Sequence, residues 1–106
     1  MRSQFKSPLK IDTGAVRTRG ELEWEPGEEQ SLVSVSISQR GHGVAGMATS
    51  PNPFERPTQN WTLDIEPGYY GTSFKAGPAN AVGIVCAMGD DKVRVFFWSQ
   101  EVELQA

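Results

Sequence analysis

The sequence predicts an all-β chain of 106 residues, a two-sheet antiparallel β-sandwich of seven or eight strands, with a small closed β-barrel as the alternative. Three observations carry this expectation. No window shows the 3.6-residue apolar period of an amphipathic helix. Turn-forming residues recur at about the 8 to 12 residue spacing of sandwiches and barrels. And the phrase Glu21-Leu22-Glu23-Trp24-Glu25-Pro26-Gly27 returns forty-one positions later as Thr62-Leu63-Asp64-Ile65-Glu66-Pro67-Gly68. Each copy alternates polar with apolar residues, as a half-buried strand does, and then stops at Pro-Gly, which presets a type II turn.

Residues 1–14 read as a basic N-terminal arm in which Leu9 to Thr13 can add an edge strand, and residues 15–106 as a single sandwich domain. Val16 to Glu25 is the first firm strand, with Leu22 and Trp24 inward. Ser31 to Arg40 is the cleanest: Val33, Val35 and Ile37 share one face while Ser34, Ser36 and Ser38 share the other. Val44 to Thr49 reads as a short strand. Between Ser50 and Asn60 the prolines Pro51, Pro53 and Pro57 predict an extended surface crossover. Trp61 to Glu66 follows with Trp61, Leu63 and Ile65 on one side, and Thr72 to Lys75 reads as another short strand.

Ala79 to Met88 sorts by size. Val82, Ile84, Cys86 and Met88 fall on one face and Ala79, Ala81, Gly83, Val85 and Ala87 on the other, which predicts a central strand covered on both sides. Met88 to Lys92 has the composition of a hairpin loop. In the last strand, Val93 to Leu104, the apolar positions change phase: Val93, Val95 and Phe97 are odd, whereas Trp98, Val102 and Leu104 are even. Taking all of them as inward predicts a β-bulge near Phe97 to Gln100.

Composition narrows the function classes. Cys86 is the lone cysteine, which excludes an intrachain disulfide and a cysteine-based zinc cluster and fits a reducing, cytoplasmic setting. The first residues lack the apolar run of a signal peptide, and no stretch approaches the roughly 20 apolar residues of a membrane span, so no membrane partner is expected. The net charge of −3 is uneven. Five bases and one acid precede residue 20, whereas five bases face twelve acids after it. A basic arm can bind nucleic-acid phosphates, but the acidic strand just downstream is a nearer partner.

His42 and Cys86 form the one pair open to thiol hydrolysis. The sequence places His42 in a Gly-His-Gly hairpin tip and Cys86 in a strand, so no catalytic site is expected. Asp90 and Asp91 with Glu101 or Asp64 could meet a hard cation, yet match no calcium-loop spacing, and Asp suits tight turns for its own reasons; no metal or cofactor is expected. The expected partner surface is Phe54, Arg56, Trp61, Tyr69 and Tyr70, in or beside the irregular loops, where rings with polar tips suit protein contacts. Against that stands a structural role for Phe54 and Trp61 as plug and core. The serine comb on one strand and the small face of another also suit a homodimer made by stacking sheets or joining edges. The resulting expectation is a non-catalytic β-sandwich interaction module that presents loops and edges to a protein or a small polar ligand. A small enzyme using carboxylates or Cys86, and a basic-arm nucleic-acid binder, are the alternatives.

Overall fold

The structure, a computed structural model, describes residues 1–68 and 72–106. It is all-β. Strands β1 (Arg2–Phe5), β2 (Leu9–Asp12), β3 (Ala15–Glu23), β4 (Gln30–Gln39), β5 (Val44–Thr49), β6 (Phe54–Glu55), β7 (Asn60–Ile65), β8 (Gly77–Gly89) and β9 (Lys92–Gln105) are joined by turns and one short 3-10 helix at Arg40–His42. All nine belong to one open hydrogen-bonded sheet, so the closed barrel is corrected, and the ladder does not divide into two separate sheets. Pairing is antiparallel except between β2 and β9, which run parallel at Leu9–Leu104 and Lys10–Gln105.

The arm is built into this sheet. β1 and β2 lie end to end along one edge of β3, opposite residues 20–23 and 15–17, while β7 takes the other edge. β2 therefore sits between β3 and β9 and is not an edge strand. Asp12 and Ala15 close a tight hairpin whose central residues, Thr13 and Gly14, have φ of 49° and 87°. Gly89 and Lys92 close another with Asp90 and Asp91 at 48° and 57°. Positive φ at both central positions is the type I′ geometry that matches strand twist.

The first Pro-Gly turn forms as its residues require: the Glu28 N–H reaches the Glu25 carbonyl at 3.2 Å, with Gly27 at φ 86°. In the second phrase the Gly68 N–H donates to the Ala45 carbonyl at 2.7 Å, and the residues beyond it, 69–71, lie outside the described ones. Thr72 to Lys75 is not a strand; Phe74 is buried there, and the Lys75 N–H and carbonyl are both held by the Gln39 carboxamide.

The sheet curls until β5 meets the end of β7, where a side chain on Gly46 would run into Ile65 and into the carbonyl of Glu66 just beyond the strand. The core lies inside this curl. Phe5, Val16, Trp61 and Ile65 from one half meet Val33, Val35, Ile37 and Val85 from the other. At one end the Met1 ammonium, with its side chain buried, bonds the buried Glu28 carboxylate at 2.9 Å, and Glu28 also accepts the Glu25 N–H at 2.7 Å.

Candidate functional site

Three of the five residues expected at a partner surface are tied into the fold. Trp61 is 2 % exposed; its ring lies over Gly20, and its indole N–H donates to Ser3 Oγ at 2.9 Å. Phe54, half-buried, pairs with Ser31 and packs on the core. Arg56 donates from Nη1 to the carbonyls of Glu25 and Glu28, both at 2.9 Å, clasping the first Pro-Gly turn. Tyr69 and Tyr70 lie outside the described residues. The described members do not converge on one surface.

The β8–β9 hairpin supplies a different surface. Its register is unbroken from Gly77–Leu104 to Gly89–Lys92, so the predicted bulge is absent. Without a bulge the two apolar phases must fall on opposite faces, because successive side chains alternate. Trp98, Val102 and Leu104 turn inward; Val93, Val95 and Phe97 stand 65, 62 and 79 % exposed. The larger face of β8 turns outward with them, also against expectation, leaving Val82 and Ile84 exposed and Cys86 half-buried. The reason is volume. Inside the curl Trp98 needs the space beside Gly83, so the small face of β8 has to be the inner one.

Cross-strand partners show how these residues assemble. One row crosses the sheet as Phe97, Ile84, Ser34 and Thr49, and the next as Ser99, Val82, Ser36 and Met47, which is 74 % exposed. Towards the hairpin tip, Val95 adjoins Cys86 and Leu32. These rows contain no charged side chain. Glu101 and Glu55 stand at the margins, opposite Asn80 and Gln30. The exposed apolar part is on the order of 500–600 Å², the upper end of the largest patches on soluble monomers.

The one histidine and the one cysteine stand far apart. His42 is exposed beyond the end of β4, whereas Cys86 pairs with Leu32 near its start, roughly 20 Å away along the strand. Among the described residues no cluster of three or more His, Cys, Asp or Glu could hold a metal ion. Several surface acids are matched with bases: Asp64 with Arg17 and Glu21 with Lys6, both at 3.1 Å. Asp64 also holds the Arg17 guanidinium above its ordinary pKa through that hydrogen bond. No helix among the described residues is long and apolar enough to cross a membrane. Comparisons with protein-family models, curated proteins and solved structures find no match to this chain.

Proposed function

We propose that the chain is a non-catalytic, sandwich-like interaction module of a reducing, cytoplasmic setting, and that it engages a protein partner through the outer face of the β8–β9 hairpin. One observation supports this above the rest: the large exposed apolar residues of β5, β8 and β9 gather on one outer face of the sheet. Scattered exposed hydrophobics carry no message, but a contiguous patch rimmed by polar residues marks a contact surface. A face without charges suits another apolar surface better than it suits a small polar ligand or a phosphate backbone.

The test is a photoreactive phenylalanine analogue at position 97 in the protein's native cells, with the same group at exposed Thr62 as control. Protein adducts from position 97 and none from position 62 support the reading. No adduct from either position, or equal yields from both, contradicts it.

A further inference from the structure

We infer that the surface docked on this face belongs to a second copy of the same chain, the two copies stacking sheet on sheet about a two-fold axis that runs along β8. The inference rests on the reading above and adds the occupant. Its basis is self-complementary relief. On one side of β8, Val93, Val95 and Phe97 form a ridge along β9; on the other, half-buried Ser34 and Ser36 form a trough along β4. Each lies one strand spacing, about 4.8 Å, from β8. A half-turn about an axis parallel to β8 exchanges the two sides and keeps each position along the strand, so Phe97 of one copy meets Ser34 of the other, at the end of the trough, and Val95 meets the half-buried Leu32. The contact is then isologous and closes at two subunits.

Charge and area agree with this occupant. The rows bring no like charges together. Two such faces hold on the order of 1,000–1,200 Å² of apolar surface in total, at the low end of specific interfaces. Residues on the axis face their own counterparts, so Cys86 of one copy looks at Cys86 of the other across sheets about 10 Å apart.

Sedimentation of the purified full chain across the micromolar range tests the inference. The expected result is a dimer that dissociates on dilution and that a short bis-maleimide links through Cys86. Phe97→Asp removes the ridge's most exposed side chain and is expected to weaken association about 30-fold or more, as loss of a central anchor does, with circular dichroism unchanged. Ser36→Lys, which places a charge in the trough from a different strand, should act likewise and covers the case of a poorly folding Phe97 variant. A monomer at every concentration overturns the inference, as does a dimer that survives both substitutions. So does a dimer whose thiols cannot be linked, since joining β9 edges would hold the two β8 strands three spacings, about 14 Å, apart. A monomer that still gives adducts from position 97 in cells overturns the second copy alone; a monomer without adducts removes the proposed function as well.

Discussion

The indole of Trp98 occupies the space where a side chain on Gly83, its cross-strand partner, would have to stand. The other half of the sheet repeats the relation, with the Trp61 ring over its partner Gly20. Phe5 lies between the two indoles, its ring centroid 5.9 Å from Trp61 and 5.0 Å from Trp98. Large rings set against glycines thus fill the curl from both sides, and this arrangement decides which face of β8 is inward.

Gly83→Ala and Gly20→Ala should therefore each destabilise the fold by about 1–3 kcal/mol through overpacking, read from the urea unfolding midpoint. Gly20 should lie at the upper end, because its new methyl would also meet the Gln4 carbonyl. Unchanged midpoints in both variants would contradict the packing described.

Glu28→Ala should cost about 3 kcal/mol. It removes the buried acceptor shared by the Met1 ammonium and the Glu25 N–H and leaves the ammonium only the half-exposed Glu25 carboxylate at 3.5 Å, so a charged hydrogen bond and a backbone one are lost together. The same unfolding measurement reads it. A loss below about 0.5 kcal/mol would show that water replaces the carboxylate freely.

Arg56→Ala should cost about 1–2 kcal/mol, since two turn carbonyls lose a charged donor. Its effect should appear in folding stability alone and leave association unchanged. An Arg56 variant with intact stability and lost self-association would move the interaction surface back to the loops.

Two phenylalanines should behave oppositely in dilute solution, where association contributes nothing. Phe5→Ala empties a core site and should cost about 3–5 kcal/mol. Phe97→Ser, on the outer face, should stay within about 0.5 kcal/mol of wild type. Equal losses would mean that Phe97 is packed within its own subunit.

Much of the fold was legible because alternation reports faces directly. Val33, Val35 and Ile37 turn inward opposite the serine comb, and Asp90-Asp91 forms the expected hairpin turn. Alternation cannot say which face is inward when both are apolar, and this is why β8 reads as covered on both sides and the first half of β9 as inward, whereas Val82, Ile84, Val93, Val95 and Phe97 are exposed. The phase reversal at Phe97–Trp98 was nevertheless the signal of the outer patch; an unbroken ladder turns it into two faces, whereas a bulge would have made it one. β1 was missed because four residues with a single buried ring, Phe5, offer no period, and its place is set by the long-range pairing with β3. Thr72 to Lys75 reads as strand-like, but the Lys75 N–H and carbonyl bond the Gln39 side chain instead of a ladder.

Cross-strand Hα–Hα contacts in a nuclear Overhauser spectrum test the arrangement most directly. The Glu103 N–H points away from β8 to Ser7 Oγ, so odd residues of β9 occupy the non-hydrogen-bonded pairs, where Hα atoms approach closest. Strong contacts between Val95 and Cys86, Phe97 and Ile84, and Ser99 and Val82 are predicted. A one-residue step after Phe97, with Gln100 taking the place of Ser99 opposite Val82, would restore the bulge, turn the apolar row back into the core and remove the exposed face.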